Sequence, residues 1–273
     1  MAASPHPLAP GFTPALVEGL LDRGLALPGP SPVLGITGLQ GSGKSTLAAQ
    51  LVAAGKQRGL HVVALSLDDF YLGRRERLAL ARQQHPLWLR RGPPGTHDLA
   101  LALATIEQLK RGTVGEAVAI ARFDKLADTR RPPSRWHREA ARPDLIVLEG
   151  WCLSLRPQSG AALREPVNAL ERELDRGGRW RRACNAALAD YGALWRQIDF
   201  LLWLKGPGFE IVPQWRWQQE RQLQARQSTR AGMDRRAVKD FLQVFERLSR
   251  HGQATLGAIA NQVIALDAQR RPF

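Results

Sequence analysis

Along the chain, short apolar runs alternate with segments in which apolar residues recur at helical spacing. The apolar runs predict strands at residues 32–37, 61–70, 117–124, 144–150, 198–205 and 262–267. The helical spacing predicts helices at residues 44–59, 98–112, 165–197, 210–230 and 233–252. Because strands alternate with helices and most strands are apolar throughout, we expect an α/β fold with a mostly parallel sheet that helices cover on both faces.

Local signals refine the helix predictions. Asp98 is a suitable N-cap and Gly112 a suitable stop for the second helix, and Gly177 with Gly178 predicts a break within the third. The last helix is amphipathic, and its predicted apolar face consists of Val238, Phe241, Leu242, Phe245 and Leu248.

One domain is the simplest organisation for this chain. Its 273 residues can bury a sizeable core, and no internal repeat or low-complexity linker divides them. Residues 1–12 are rich in proline, and we expect them to form a flexible segment ahead of a single domain over residues 13–273.

The composition excludes several classes of function. The net charge is +14, but the arginines are scattered and no nucleic-acid-binding motif is present, so we expect no nucleic-acid partner. A phosphorylated substrate or cofactor would also favour positive potential. No apolar window approaches the roughly 18 residues of a membrane span, so we expect no membrane partner. Two cysteines and no evident secretory signal favour a cytoplasmic location.

The stretch GITGLQGSGKST, residues 35–46, places four glycines and a lysine between a predicted strand and a predicted helix. It contains the P-loop pattern G-x-x-x-x-G-K-[ST], in which backbone amides surround phosphate oxygens. The lysine reaches the β- and γ-phosphates, and the following hydroxyl binds magnesium. The residues expected to hold ATP and Mg²⁺ are Gly38, Gly41, Ser42, Gly43, Lys44, Ser45 and Thr46.

The sequence excludes two classes of nucleotide-binding protein. A GTPase needs an N-K-x-D guanine-binding motif, which the segment FDKLAD does not supply, and no signature of a transporter ATPase is present. The γ-phosphoryl group therefore goes to water with a mechanical outcome, or to a small acceptor.

Two acidic motifs favour the small acceptor. The segment LSLDDFYL, residues 65–72, ends a predicted strand with Asp68 and Asp69. A carboxylate on the strand next to the P-loop strand suits the base that receives the acceptor's hydroxyl proton, although the pair could also cap a helix. The segment LIVLEGW, residues 145–151, carries Glu149 near the end of a predicted strand, and we expect Glu149 to hold or orient magnesium together with Ser45.

Further motifs carry a resemblance to a known family. After the P-loop and the Asp68 motif come RRGPPGTHDL (90–99) and RFDKLAD (122–128), and after the Glu149 motif come WRWQQE (215–220) and AGMDRRAVKDFLQVF (231–245). Together these segments resemble D-glycerate 3-kinase of the plant and cyanobacterial type, within the P-loop kinase group of phosphoribulokinase, uridine kinase and pantothenate kinase. The resemblance implies a P-loop NTPase-type three-layer α/β/α fold with a helical lid around residues 207–232.

The resemblance also implies roles for individual residues. The implied catalytic set is Lys44, Asp68, Glu149 and Arg216, with Asp68 as the base. The residues implied near the acceptor are Asp68, Asp69, Tyr71, Arg91, His97, Asp98, Arg122 and Lys125. The implied lid arginines are Arg216, Arg221 and Arg226. Phe123 departs from the pattern, because relatives often have tyrosine there.

We therefore expect an ATP-dependent kinase of a small hydroxy acid, with D-glycerate as the favoured acceptor and 3-phosphoglycerate as the product. An arginine fork at Arg91 would match the carboxylate of such an anion. Two alternatives stay open: a P-loop kinase of another alcohol, such as a nucleoside, pantothenate or a sugar, and a non-catalytic ATP-binding regulatory protein. Asp68 and Asp69 argue against the regulatory protein, which needs no base there.

Overall fold

The computed structural model describes residues 11–226 and 232–273, except the side chains of Leu223, Ala225 and Arg226. The strands are β1 (Val33–Gly38), β2 (Val62–Ser66), β3 (Ala117–Ile120), β4 (Phe123–Asp124), β5 (Thr129–Arg130), β6 (His137–Ala140), β7 (Leu145–Gly150), β8 (Phe200–Lys205) and β9 (Gln262–Ala265). The helices are α1 (Pro14–Leu25), α2 (Lys44–Gln57), α3 (Arg74–Gln83), α4 (Leu99–Arg111), α5 (Ala169–Leu174), α6 (Arg179–Ala187), α7 (Gly192–Trp195), α8 (Val212–Arg226) and α9 (Arg235–Thr255).

A five-stranded sheet in the order β2-β7-β1-β8-β9 forms the centre of the molecule, and each neighbouring pair is parallel. Successive side chains of a strand point to opposite faces. Val33 therefore belongs to one core and Leu34 to the other. Helices α1 and α2 cover the Leu34 face, whereas α4, α5, α6 and α9 cover the Val33 face. The predicted three-layer α/β/α arrangement is confirmed.

The local helix signals are confirmed as well. The Asp98 carboxylate accepts a hydrogen bond from the Leu101 amide at 3.0 Å, and α4 ends before Gly112. Gly178 has a left-handed conformation at the start of α6, so the predicted break lies where expected. The predicted apolar face of α9 is buried, with Phe241 half-buried at its edge.

Some sequence-based expectations were wrong. Residues 117–124 do not join the central sheet: β3 pairs antiparallel with β6, and β4 pairs antiparallel with β5. The physical reason is visible in β3, where burial alternates, as it does in strands with one solvated face. The strand β2 is also not next to β1, because β7 lies between them.

Other differences concern segment ends. The strand predicted over 61–70 ends at Ser66 and continues as a 3-10 turn from Leu67 to Phe70, which carries both aspartates. Phe12, assigned to the flexible segment, is buried and exchanges two 2.9 Å hydrogen bonds with the Gln50 side chain. Residues 1–10 of that segment lie outside the described residues. The helices α1 and α3 were not predicted.

The helix predicted over 210–230 is α8 up to Arg226, and its remaining positions lie outside the described residues. Trp215 on α8 is fully buried, and its indole nitrogen donates to the Ala268 carbonyl at 2.8 Å.

Among the described helices, none combines the length and the apolar character that a membrane crossing requires.

Candidate active site

The P-loop connects β1 to α2 at the carboxyl edge of the sheet, and two of its glycines are required by space and by dihedral angle. A Cβ on Gly38 would lie 2.6 Å from the Leu204 carbonyl oxygen. A Cβ on Gly41, at φ +83°, would lie 2.8 Å from the Cβ of Trp215. The loop therefore passes closer to β8 and α8 than any larger residue allows. Gly43 begins α2, whose N-terminal amides attract anions.

Lys44 curls over this loop. Its Nζ donates to the carbonyl oxygens of Gly38 at 2.9 Å and Leu39 at 2.8 Å. Burial lowers the pKa of Lys44, while the charges of Glu149 and Asp68 raise it in part. The ammonium thus lies where the loop and the two acids meet.

Glu149 is the second-last residue of β7 and is contacted by two hydroxyl groups. Its Oε1 accepts hydrogen bonds from Ser45 Oγ at 3.0 Å and from Ser66 Oγ at 2.6 Å. Burial raises the pKa of Glu149. Among the described residues, the buried hydroxyls of Thr37 and Ser42 have no hydrogen-bond partner. This set of hydroxyl and carboxylate oxygens fits a hard cation such as magnesium beside phosphate oxygens.

Asp68 lies beside these groups. Its carboxylate accepts hydrogen bonds from Lys125 Nζ at 2.7 Å and from the Tyr71 hydroxyl at 2.8 Å. Burial would raise the pKa of Asp68, but the Lys125 charge and both hydrogen bonds outweigh it, and the pKa lies well below its usual range. The Asp68 and Lys125 side chains are 30% and 58% exposed, so water screens the attraction between their charges.

Asp69, the next residue, has different partners. Its carboxylate accepts from Arg122 Nη1 at 2.6 Å and from the Phe123 amide at 3.0 Å. These contacts fasten the segment that carries β4 to the 3-10 turn. The two neighbouring aspartates are therefore not equivalent. Asp68 lies near Lys125 and the P-loop lysine, whereas Asp69 holds Arg122 and the backbone of Phe123.

An aromatic stack supports Asp68. The Tyr71 ring stacks on His97 with 4.6 Å between ring centres and meets Phe123 edge-on at 5.3 Å. His97 Nδ1 lies 2.6 Å from the Tyr191 hydroxyl. Burial lowers the pKa of His97 to about 4, so its ring is neutral at pH 7. Tyr71 is thereby held with its hydroxyl on Asp68.

Arg91 is fixed from several sides. Its guanidinium forms an ion pair with Asp128 and lies over the rings of Phe123 at 5.6 Å and Phe241 at 6.0 Å. Asp128 also pairs with the fully buried Arg77 at 2.8 Å, and it has a left-handed φ of +51°. Within the described residues, only Nη1 of Arg91 donates a hydrogen bond, so its other nitrogens remain available to a ligand.

The remaining predicted residues are less tightly grouped. Asp98 pairs with Arg130 at 2.7 Å. Arg216 pairs with Glu220 at 3.0 Å within α8. Arg221 is exposed and borders a cavity of about 810 Å³ between α8 and the start of α9. The side chain of Arg226 lies outside the described residues.

Sequence reasoning missed several residues of this site: Ser66, Arg77, Asp128, Tyr191 and Arg270, whose Nε donates to the Gly41 carbonyl. Ser66 was readable as a hydroxyl at a strand end. The others make contacts far along the chain, which no local pattern signals.

Comparison with known proteins places this geometry in a family. The family described as methylmalonyl Co-A mutase-associated GTPase MeaB matches residues 13–110, about a third of the chain, including the P-loop. The uncharacterized kinase mug58 of Schizosaccharomyces pombe is 34% identical over 77% of this chain and 76% of its own length. The chloroplastic D-glycerate 3-kinase of Arabidopsis thaliana is 31% identical over 78% of this chain and 46% of its own length.

Comparison with solved structures finds the same fold in a kinase. The structure of a D-glycerate 3-kinase from Cryptococcus neoformans superimposes with a TM-score of 0.74 at 24% identity, over 94% of this chain and 95% of that one. The chain belongs to the P-loop kinase family that contains mug58 and the plant D-glycerate 3-kinase.

Proposed function

We propose that this protein transfers the γ-phosphoryl group of ATP to a hydroxyl of a small hydroxy acid, with D-glycerate as acceptor and 3-phosphoglycerate as product. The observation that carries the proposal is the position of Asp68. Its carboxylate lies close enough to Lys44 and Glu149 to influence the pKa of both, and it accepts hydrogen bonds from Lys125 and Tyr71. A base beside the phosphate-binding lysine suits in-line attack on the γ-phosphorus.

On the nucleotide side, the loop amides and Lys44 cradle the phosphates, and the positive end of α2 adds to the attraction. The oxygen donors Ser45 and Glu149 would hold magnesium, which neutralises phosphate charge when it is bound. Arg216 and Arg221 belong to a lid around residues 207–232 that excludes water and so limits hydrolysis of ATP. Residues 227–231 of this lid lie outside the described residues.

On the acceptor side, the hydroxyl oxygen of the acceptor forms a bond to the γ-phosphorus. The bond between the γ-phosphorus and the oxygen that joins it to the β-phosphorus breaks at the same time. The hydroxyl proton passes to Asp68, and ADP leaves. The pKa of Asp68 lies well below its usual range, so the carboxylate is ionised at neutral pH, as a base must be; the same low pKa makes it a weak base.

The charges near Asp68 favour an anionic acceptor. Arg91 comes from one segment and Arg122 and Lys125 from another, and each forms an ion pair with one aspartate while keeping further donor atoms. A carboxylate accepts two parallel hydrogen bonds from an arginine fork. A neutral nucleoside or sugar would gain little from these cations. The relatives named D-glycerate 3-kinase support the same choice of acceptor.

A screen of ADP release tests the proposal. The purified protein is assayed with Mg·ATP and, separately, D-glycerate, L-glycerate, pantothenate, uridine and ribulose 5-phosphate. We expect the highest kcat/KM with D-glycerate. Faster turnover with pantothenate, uridine or ribulose 5-phosphate would reassign the acceptor. ATP binding without ADP release in the presence of any of these compounds would favour the regulatory alternative.

A further inference from the structure

The segment after β9 returns to the P-loop through one side chain. Arg270 is 7% exposed. Its Nε donates to the Gly41 carbonyl at 2.6 Å, and its Nη2 donates to the Trp215 carbonyl at 3.3 Å. The guanidinium also lies over the Trp215 ring, 5.2 Å from its centre. One arginine thus joins the P-loop, the helix α8 and the end of the chain.

The backbone around Arg270 is held in an uncommon conformation. Arg270 has φ +66°, in the left-handed region that glycine and asparagine adopt at lower cost. A tight turn enforces it: the Asp267 carboxylate accepts from the amides of Gln269 and Arg271, both at 2.8 Å. Strain of this kind persists where the surroundings require a particular side chain.

The charge of Arg270 is also unusual. In the part of the chain that the structure describes, this buried guanidinium forms no ion pair with a carboxylate and is satisfied by carbonyl oxygens and an aromatic face. A buried charge without a partner of opposite sign is costly. Retaining it beside a loop that binds phosphates adds positive potential where the ligand is an anion.

The peptide that Arg270 contacts belongs to the phosphate cradle. Its carbonyl, from Gly41, accepts from Arg270, and its amide, from Ser42, donates to the Leu39 carbonyl at 3.2 Å. Gly41 has no Cβ to restrict its rotation, so these contacts at the two ends fix the orientation of the peptide. Without Arg270, this part of the loop would lose its outer restraint.

We propose that Arg270 is a positioning residue that keeps the P-loop in its polyphosphate-binding shape and docks α8 against it. The inference rests on the proposed function only in requiring that the loop binds a nucleoside polyphosphate. Arg270 acts through the Gly41 peptide rather than on the nucleobase. Its loss therefore weakens ATP and inorganic tripolyphosphate alike.

Direct binding tests this independently of the acceptor. Titration calorimetry measures the affinities of wild type, Arg270→Gln and Arg270→Lys for Mg·ATP and for magnesium tripolyphosphate. We expect both affinities of Arg270→Gln to fall on the order of tenfold or more, the scale of a hydrogen bond to a charged group. Arg270→Lys keeps the charge but not the planar fork, so we expect an intermediate loss.

The neighbouring Arg271 supplies a matched control. Its side chain is exposed and, among the described residues, forms an ion pair with Asp267 alone, so Arg271→Gln should bind both ligands like wild type. In steady-state assays, Arg270→Lys should raise the KM for ATP and leave the KM for the acceptor unchanged, a split that general destabilisation does not produce.

Each outcome has a separate meaning. Wild-type affinity for tripolyphosphate in Arg270→Lys would overturn the proposal, even if Arg270→Gln fails to fold. A loss for ATP but not for tripolyphosphate would also overturn it, because Arg270 would then act at the nucleobase. Wild-type protein that binds neither ligand would instead refute the proposed function.

Discussion

The P-loop presents backbone groups and one lysine from a single short segment, with Arg270 contacting it from outside, whereas the surroundings of Asp68 consist of charged and aromatic side chains from distant segments. The loop occupies eight consecutive residues, and its lysine bonds to carbonyls only five and six residues away. Around Asp68, the partner Lys125 is 57 residues away, and the Asp69 partner Arg122 is 53 residues away. One site is therefore local in sequence, and the other is assembled by the fold.

This difference determines how each site should respond to change. A backbone cradle depends on a few glycines and one lysine, and removing the lysine removes the charge that reaches the phosphates. A network of ion pairs spreads its function over many side chains, so single changes there, other than at the proposed base Asp68, should have smaller effects. It should also respond to pH, because several of its members titrate or are held neutral by burial.

The largest effect is expected on the nucleotide side. Lys44→Ala removes the only P-loop ammonium, and kcat/KM for ATP should fall by about a thousandfold, the upper scale for losing one electrostatic contact to a transition state. Initial rates of ADP release measure it. Lys56→Ala, in the exposed part of the same helix, is the control and should keep wild-type rates. A loss below tenfold would remove Lys44 from the mechanism.

On the acceptor side, acid should destabilise the protein through His97. Its side chain is 6% exposed, and burial lowers its pKa from 6.5 to about 4. Between those values the unfolded chain binds a proton that the folded chain does not, so the free energy of unfolding falls as pH falls. The loss should reach about 3 kcal/mol by pH 4.

Urea unfolding at pH 7 and pH 4 measures this contribution. His97→Asn removes the titrating ring, so the variant should lose about 3 kcal/mol less than wild type between the two pH values. An equal loss in both proteins would show that His97 carries a proton in the folded state and would contradict its burial as a neutral ring.

The smallest effect is expected for Arg91→Lys. An ammonium cannot form the planar fork or stack between Phe123 and Phe241 as the guanidinium does, so the KM for D-glycerate should rise about tenfold. The KM for ATP should not change. Arg90→Lys is the control, since Arg90 donates to the Asp240 carbonyl on α9 instead. A rise in the KM for ATP alone would break the division into two sites.

The same division explains what could be predicted from the sequence. The P-loop, Glu149 and the parallel sheet follow from contiguous patterns, and all appear in the structure. The pairing of Asp69 with Arg122 was not predictable, because neither residue's neighbours signal a contact between them. Arg270 is 229 residues from Gly41, beyond the reach of any local rule.

The error at residues 117–124 has the same cause. An apolar run of this length is compatible with a buried parallel strand or with half of an antiparallel pair, and periodicity alone does not separate them. The partner strand β6, a polar segment of histidine, arginine, glutamate and alanine, gave no strand signal of its own. The pairing of β6 with β3 determines that residues 117–120 form an antiparallel pair, and this pairing depends on contacts between segments that are distant in the sequence.

We propose that Asp68, and not Asp69, accepts the proton during phosphoryl transfer to a small hydroxy acid. The most direct measurement follows the label of γ-³²P-ATP in a single turnover with D-glycerate, in wild type, Asp68→Asn and Asp69→Asn. We predict labelled phosphoglycerate from wild type, ATP binding with transfer slowed by about a hundredfold or more in Asp68→Asn, and a much smaller loss in Asp69→Asn. Transfer at the wild-type rate in Asp68→Asn, with transfer lost in Asp69→Asn, would contradict the account.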